Sequence, residues 1–298
     1  MRYFITGASG WIGSAVTREL IGAGHQVTGL ARSDASADKV TELGGDVVRG
    51  ELTDLEVLRE AATEADGVVH LGFIHDFDDF MTSVRIDRAA IQTLGSALEG
   101  TGRTFVVASG VAGITPGRVA TEDDPLPEGG HPRIANAAVA EAFAERGVVP
   151  VFARFAPTVH GVGDHGFISV IAQIARAKGV SAYVGDGSQA WAAVHRDDAA
   201  GLVRRALESP GTARVLHAVA ETGVPTRTIA EALGERLGVP VTSIDPADAG
   251  EHFGWMGAFF GADLRASSAL TRERFGWEPT GPTLLEDIAA GGYDLPAV

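Results

Sequence analysis

The chain has 298 residues, none of which is cysteine, and tyrosine occurs only three times. Without cysteine the chain can form no disulfide, no thiolate zinc site and no cysteine nucleophile. Basic residues are also few, since 24 lysines and arginines stand against 39 acidic residues and give a net charge of −15. This charge is unfavourable for binding nucleic acid or an anionic membrane surface, and it suits an uncharged or cationic small molecule better.

Long hydrophobic runs are lacking as well. No apolar run reaches the length of a membrane span, and the first strand begins so close to Met1 that no room is left for a signal peptide. We therefore expect a cytoplasmic protein without a membrane partner. The apolar fraction of 45% is enough for a sizeable core, in one large domain or in a large and a smaller one.

The most informative stretch is Thr6-Gly-Ala-Ser-Gly-Trp-Ile-Gly13, which lies between a short apolar strand and a helix. Its glycines allow a tight turn, a close approach of backbone to a ligand, and close packing of the helix on the sheet. The free N–H groups at the start of that helix form an anion site that suits a pyrophosphate. The residues expected to contact a dinucleotide here are Gly7, Ser9, Gly10, Trp11, Ile12 and Gly13.

The end of the second predicted strand, residues 25–31, indicates which dinucleotide is bound. Folds that bind NAD place an acidic residue about twenty positions beyond the glycines, and here Arg32 stands in that place. A guanidinium pairs well with a 2′-phosphate, so we expect NADP, with Arg32 and Ser33 as contacts. The alternative for Arg32 is a solvated loop charge. We expect Asp34 to cap the following helix.

Strands and helices alternate through the first half of the chain. Apolar strands are predicted at residues 46–50, 67–71, 104–108 and 148–155, with helical segments between them. This alternation predicts a doubly wound parallel α/β sheet. Beyond Pro157 the pattern loosens, so we expect a dinucleotide-binding domain at residues 1–156. Residues 157–298 then form a mainly substrate-binding part, some strands of which return to the sheet.

Several motifs together resemble those of a known family. The glycine motif matches Thr-Gly-x-x-Gly-x-x-Gly, and the supporting stretches are residues 50–54, 68–71, 154–161 and 191–198. The chain thus resembles the extended short-chain dehydrogenases, the group of NAD-dependent epimerases and dehydratases. The resemblance implies a Rossmann fold with its pocket between the carboxyl edge of the sheet and the part after Pro157. The further cofactor contacts we expect are Leu52, Leu71, Gly72, Ala108, Pro157 and His160.

The catalytic motif of that family is not matched. The family uses Tyr-x-x-x-Lys on the helix before the sixth strand, usually with a glutamate four residues past the lysine. An alignment on Glu141 puts Arg133 in the place of the tyrosine and Ala137 in the place of the lysine. None of the three tyrosines of the chain is in register with this motif; they are Tyr3, Tyr183 and Tyr293. The chain therefore resembles atypical members without this pair, some of which carry basic residues in the active-site motif.

Loss of a general acid typically costs ~10²–10⁴ in rate, which is least serious when the substrate is already protonated, as an iminium is. Hydride transfer itself belongs to the nicotinamide. We therefore expect an NADPH-dependent reductase that acts on C=N of a cyclic imine or on C=O of a ketone. A non-catalytic NADP(H)-binding sensor and an epimerase or dehydratase remain alternatives. The candidate catalytic residues are Ser109, His75, His131 and Arg133, each of which could instead be a packed or solvated side chain.

A set of large apolar side chains indicates a wide apolar pocket for a bulky substrate, although about half of such residues belong to the core. They are Phe73, Trp191, Trp255, Met256, Phe259 and Phe260. We expect no metal despite the acidic loop at residues 75–79, because no second histidine lies at helical spacing. His195 is expected to be structural. The resemblance implies a homodimer through the two helices before the fifth and sixth strands, as in many family members. The small side chains of the alanine-rich helix at residues 134–146 would permit such a contact, although the helix could instead be buried within its own domain.

Overall fold

The computed structural model describes residues 1–76, 79–127 and 132–294, with the side chains of all but Ile134 and Ala137. The strands, in chain order, are β1 (Arg2–Thr6), β2 (Gln26–Ala31), β3 (Asp46–Arg49), β4 (Gly67–His70), β5 (Thr104–Gly110), β6 (Val149–Phe155), β7 (Thr158–His160), β8 (Ser181–Val184), β9 (Ala190–His195), β10 (Val215–Ala218), β11 (Glu221–Pro225) and β12 (Val241–Ile244). The helices are α1 (Trp11–Gly22), α2 (Asp34–Glu42), α3 (Leu55–Glu64), α4 (Phe80–Ala97), α5 (Pro132–Glu141), α6 (Phe167–Lys178), α7 (Arg196–Glu208), α8 (Thr226–Leu237), α9 (Ala249–Phe253), α10 (Met256–Phe260), α11 (Ala269–Phe275) and α12 (Leu284–Ala289).

The large sheet has seven strands in the order β10-β6-β5-β4-β1-β2-β3, all paired in parallel. The predicted doubly wound α/β fold is confirmed. The strand order reverses between β1 and β4, and in such sheets ligands bind in the crevice beyond the carboxyl ends of the strands at this point. The strand β10 comes from beyond residue 157 and completes one edge of the sheet.

Alternate residues of each central strand face opposite layers of helices. On β1, Tyr3 and Ile5 pack in a core with residues of α1 and α7, whereas Phe4 packs with residues of α3 and α4 on the other face. All three side chains are almost fully buried. A strand that is buried on both faces consists of a continuous run of apolar residues, which explains why the central strands could be predicted from the sequence.

The later part of the chain builds a second, smaller core. A three-stranded sheet of β11, β9 and β7 and a two-stranded sheet of β12 and β8 pack with α6, α8 and α12. The stretch around Trp255 forms the short helices α9 and α10. The alanine-rich helix is shorter than expected, because α5 ends at Glu141 and continues as a 3₁₀ turn to Arg146. No helix within the described ranges is long and apolar enough to cross a membrane.

Candidate active site at the carboxyl edge of the sheet

The glycine-rich turn after β1 has the tight geometry that the motif predicts. Gly7 has a φ of 71°, in the left-handed region, and a Cβ there would lie 2.8 Å from the backbone nitrogen of Gly72. A Cβ on Gly13 would lie 2.0 Å from the carbonyl oxygen of Gly7. Gly10 is the N-cap of α1, and no side chain caps that helix. The N–H groups at the start of α1 therefore have room for a pyrophosphate, and the residues here fit a dinucleotide.

The loop after β4 lies directly against this turn. The backbone nitrogen of Gly72 donates to Thr6 Oγ1 at 3.1 Å, and the nitrogen of Leu71 donates to the carbonyl of Thr6 at 3.2 Å. A Cβ on Gly72 would also approach Leu52 Cδ2 to 3.2 Å. The structure thus brings Leu52, Leu71 and Gly72 together beside Gly7, as a common wall of the crevice.

Trp11 faces away from the turn and joins α1 to the later part of the chain. Its indole N–H donates to the carbonyl of Val159 at 2.7 Å, and the Arg196 guanidinium lies 4.1 Å from its ring centre. His165 contacts the same ring edge-on, with centroids 5.6 Å apart. Ser9 and Ile12 are half-buried in the same turn. The indole therefore fixes β7 next to the start of α1.

Arg32 is exposed at the end of β2, and its side chain forms no hydrogen bond or ion pair with the described part of the chain. Asp34 is the first residue of α2 and not its cap, and its carboxylate accepts a hydrogen bond from Arg49 at 2.7 Å. The N-cap is Ser33, which forms a capping box with Ser36. The nearest carboxylate along the chain is thus paired elsewhere, while the guanidinium of Arg32 keeps its donors.

A buried chain of hydrogen bonds connects this turn to α4 and α5. Thr6 Oγ1 and His70 Nδ1 lie 2.7 Å apart, and His70 Nε2 lies 3.1 Å from Asp87 Oδ1. Because a carboxylate only accepts, His70 donates from Nε2, which leaves Nδ1 to accept from the hydroxyl of Thr6. Asn136 Nδ2 donates to Asp87 Oδ2 at 2.6 Å and to the carbonyl of Val84 at 3.0 Å. These hydrogen bonds therefore link four elements: β1, β4, α4 and α5.

Asp87 stays ionised at the centre of this chain. Burial raises the pKa of its carboxyl group, but the hydrogen bonds from His70 and Asn136 and the charge of Arg133 together hold the pKa below its ordinary value. His70, Asp87 and Asn136 were not predicted from the sequence as members of the site. The available signal was an aspartate on the face of α4 that otherwise carries small and apolar residues such as Val84.

Arg133, in the place of the family's tyrosine, sits at the start of α5. Its guanidinium carbon lies 4.0 Å from the ring centre of Phe73, which is a cation–π contact. His75 meets the same phenyl ring edge-on, with centroids 5.2 Å apart, and Phe80 lies 5.9 Å from it. The structure therefore brings Phe73, His75 and Arg133 into one cluster beyond the end of β4, whereas His131 lies outside the described residues.

Ser109 lies within β5 rather than in a loop, directly opposite Arg154 of β6. Its hydroxyl is half-buried and has no hydrogen-bond partner among residues 1–76, 79–127 and 132–294. Ala108 precedes it on the same strand, and Pro157 follows the end of β6; both are half-buried. These residues lie at the carboxyl ends of β5 and β6.

His160 is enclosed, contrary to the expectation that it lines the cofactor. Its ring is 0% exposed, and its Nδ1 lies 2.6 Å from Asp287 Oδ2 on α12. An enclosed ring cannot touch a ligand in the crevice, so we assign His160 to the interior of the later part. His195 is structural, as expected, but it caps α7 itself, since its Nδ1 accepts from the backbone nitrogen of Asp197 at 3.3 Å.

Half of the apolar set is also core. The side chains of Trp191, Met256 and Phe260 are 0% exposed, so they do not line a surface pocket. Phe259 is half-buried, and Trp255 is 56% exposed at the border of a glycine-rich groove of about 600 Å³. The physical reason is the packing of β9 against α10, where edge-to-face contacts join Trp191 to Phe259 and Phe260.

The tyrosines lie in other surroundings. Tyr3 is buried in β1, and Tyr183 on β8 is 5.6 Å from the guanidinium of Arg227. Tyr293 donates to Asp164 Oδ2 at 2.9 Å, and burial together with the charge of Asp164 raises its pKa far above the ordinary value. A phenol in this environment is a poor proton donor at neutral pH. No group of acidic and histidine side chains in the described ranges is arranged to hold a metal ion.

Comparisons with known proteins agree with this architecture. The model of the NAD dependent epimerase/dehydratase family matches residues 3–220. An uncharacterized protein of Saccharomyces cerevisiae is 45% identical over 298 residues, covering 99% of this chain and 100% of the relative. An uncharacterized protein of Schizosaccharomyces pombe is 42% identical over 294 residues, covering 98% and 100%.

Among solved structures, MoeE5 in complex with UDP-glucose and NAD superposes with a TM-score of 0.74 at 23% identity, covering 97% of this chain and 96% of that one. At this identity the likeness concerns the fold alone. The match of the family model covers well over half of the chain. The chain therefore belongs to the NAD dependent epimerase/dehydratase family.

Proposed function

We propose that this protein reduces a C=N or C=O bond of a bulky, largely apolar substrate by hydride transfer from NADPH. The observation that carries the proposal is the side chain of Arg133, which stacks on Phe73 where the family resemblance implies a tyrosine. A guanidinium stays protonated at all working pH values, so it can neither deliver a proton nor accept one. The chemistry best compatible with this substitution is a reduction that depends little on a built-in acid.

The preference for NADP follows from the surroundings of Arg32. A planar guanidinium with unpaired donors matches a phosphate monoester, and the carboxylate of Asp34 is already neutralised by Arg49. NAD-binding sites of this fold instead present a carboxylate to the ribose hydroxyls. The absence of such a free carboxylate beside Arg32, within the part of the chain that the structure describes, favours NADPH.

Bound NADPH supplies the hydride. The turn at Gly7, Gly10 and Gly13 would hold its pyrophosphate, and Arg32 its 2′-phosphate. The half-buried hydroxyl of Ser109 lies at the carboxyl end of β5 and is available to hydrogen-bond the oxygen or nitrogen of the bond being reduced. The proton comes from water or from His75, whose ring lies in the cluster beyond β4.

Epimerisation and dehydration fit the same fold, because the family includes both activities. Both begin with removal of a proton from a substrate hydroxyl, which requires a base. Arg133 cannot be that base, and burial together with the charge of Arg133 lowers the pKa of His75, which weakens it as a base. This electrostatic argument favours reduction over epimerisation.

The test is consumption of NADPH in the presence of a panel of cyclic imines and aromatic ketones, followed at 340 nm with NADH in parallel. We expect turnover on at least one class, with a higher kcat/KM for NADPH than for NADH. Tight NADPH binding without oxidation across the panel would instead identify a sensor. Interconversion of hydroxyl epimers with no net change in NADPH would identify an epimerase.

We also propose a homodimer that pairs through α4 and α5. These helices lie side by side, and exposed small residues on α5, Ala135 and Ala138, permit close approach of a second helix. Light scattering on the eluting protein should give twice the chain mass of 30.9 kDa. Replacement of Ala138 by arginine should shift that mass to the monomer value; a monomer in the wild type would contradict the proposal.

A further inference from the structure

The guanidinium of Arg133 has hydrogen-bond donors that are unpaired within the part of the chain that the structure describes. Its contact with Phe73 uses the face of the phenyl ring and consumes none of its five N–H groups. Arg133 forms no hydrogen bond or ion pair with any described residue, and none of its nitrogen atoms is sealed from solvent without a partner. The side chain is nevertheless only partly exposed. A partly desolvated cation without an acceptor is costly, so this position is suited to an anionic ligand.

The carboxylates near Arg133 are already engaged. Both oxygens of Asp87 are hydrogen-bonded, one by His70 and one by Asn136, so Asp87 acts on Arg133 only at a distance. Asp79 Oδ1 accepts from the backbone nitrogen of Thr82 and caps α4. Among the described residues, no acid therefore contacts the guanidinium directly.

The surroundings of Arg133 combine a basic and several apolar side chains. Burial lowers the pKa of His75, and the charges of Arg133 and His165 lower it further. The phenyl rings of Phe73 and Phe80 line the same region. Arg133 is thus a positive charge beside apolar rings, although the net charge of −15 led us to expect an uncharged or cationic substrate.

We propose that Arg133 binds the carboxylate of the substrate, so that the protein acts on an oxo acid or imino acid with an apolar carbon skeleton. A carboxylate matches the planar fork of a guanidinium with two parallel hydrogen bonds, and the rings of Phe73 and Phe80 pack against the carbon chain. The assignment of oxo acids or imino acids as the substrate class rests on the proposed reduction. The binding of the carboxylate by Arg133 does not, because it can be measured without turnover.

The experiment compares 2-oxo-4-phenylbutanoate and 4-oxo-4-phenylbutanoate with their methyl esters, in the wild type and in Arg133→Gln, Arg133→Lys and Arg88→Gln. Arg88 is exposed on α4 and forms no hydrogen bond or ion pair with the described residues, so its variant controls for the loss of one positive charge. Binding is measured by calorimetry in the presence of NADP⁺, and turnover with NADPH. Thermal unfolding of each variant checks that it is folded.

We expect at least one acid to bind the wild type about 10- to 100-fold more tightly than its ester, the range of a charged hydrogen bond. Arg133→Gln should remove this preference and leave ester binding unchanged, Arg133→Lys should retain part of it, and Arg88→Gln all of it. Equal affinity for acid and ester, or a preference that survives Arg133→Gln, would overturn the inference. Competition by inorganic phosphate as strong as that by the acid would also overturn it, in favour of a phosphate site.

These outcomes separate the inference from the proposed function. Acids that bind through Arg133 without any oxidation of NADPH would refute the reductase and retain the carboxylate site. Esters reduced as fast as acids, with no effect of Arg133→Gln, would retain the reductase and refute the site. If Arg133→Gln does not fold, the acid preference of Arg133→Lys relative to Arg88→Gln decides the question.

Discussion

The side-chain amide of Asn136 donates a 2.6 Å hydrogen bond to the carboxylate of Asp87, and this contact ties the helix of Arg133 to the core beneath the dinucleotide turn. Through His70, the same carboxylate is connected to Thr6 at the end of β1. The position of Arg133 is therefore set by the same hydrogen bonds that support the loop at Gly72. The cofactor turn and the site beyond β4 form one structural unit.

Loss of the amide at position 136 should be costly. Asn136→Ala leaves one oxygen of the buried Asp87 carboxylate without a donor, for which we expect a loss of roughly 1–3 kcal/mol in the free energy of unfolding. Urea denaturation measures this directly. The control is Gln92→Ala on the exposed face of α4, which we expect to change stability by less than about 0.5 kcal/mol. Equal effects of the two substitutions would show that the hydrogen bond contributes nothing.

The ionisation of His75 should report the charge of Arg133. Burial, reinforced by that charge, lowers the pKa of the imidazole below its ordinary value of 6.5. We expect His75 to titrate below 6.5 in proton NMR, assigned with His75→Gln, and to titrate closer to 6.5 in Arg133→Gln. A pKa that does not change on removal of Arg133 would contradict the proximity of the two side chains.

The sign of the linked effect on stability follows from the same shift. Between the lowered folded pKa of His75 and 6.5, the unfolded chain binds more protons than the folded protein. The contribution of His75 to stability is therefore complete above pH 6.5 and declines as the pH falls through that value. Comparison of the melting temperatures of wild type and His75→Gln between pH 7.5 and pH 5.5 isolates this contribution, and a variant that loses stability more steeply on acidification would reverse the sign.

The glycine at position 13 should tolerate no side chain. A Cβ there would lie 2.0 Å from the carbonyl oxygen of Gly7, so Gly13→Ala must displace α1 or the turn. We expect a loss of about 1–3 kcal/mol in stability and loss of dinucleotide binding, measured by denaturation and by calorimetry. The control is Gly22→Ala at the end of the same helix, where a Cβ meets nothing within 4 Å. That variant should be equally or more stable than the wild type and should bind NADPH normally.

The charge at position 32 should decide between the two dinucleotides. Arg32→Asp exchanges a phosphate-binding guanidinium for a carboxylate, so NADPH affinity should fall by roughly 10-fold or more while NADH affinity is kept or improved. Fluorescence titration with each dinucleotide measures the ratio. Lys39→Gln, an exposed charge change on α2, should leave the ratio unchanged. If Arg32→Asp also left it unchanged, Arg32 would be a solvated loop residue.

The sequence was sufficient for those features that depend on local pattern. The glycine turn could be predicted because three glycines, a preceding apolar strand and a following helix lie within thirteen residues. The parallel sheet could be predicted because its central strands are buried on both faces and read as apolar runs. The place of Arg133 in the family's motif was inferred from its distance from Glu141 along the chain, and it stays a prediction.

The remaining parts of the site depend on contacts between distant residues. His70 and Asp87 are 17 residues apart, Asp87 and Asn136 are 49 apart, and the partner of His160 lies 127 residues away. No local pattern indicates which polar residues meet at such separations. Which members of the large apolar set are core could not be predicted for a related reason, since whether Trp191 faces a pocket or a core depends on how α10 packs against β9.

The most direct test of the account is the fate of the hydride. NADPH labelled with deuterium at C4 of the nicotinamide, on each face in turn, should transfer one deuterium to the former C=N or C=O carbon for each NADPH oxidised, with the label from only one face. Mass spectrometry and NMR of the product measure this. Product that forms without the label, or label that remains on the cofactor while the substrate is isomerised, would contradict the proposed reduction.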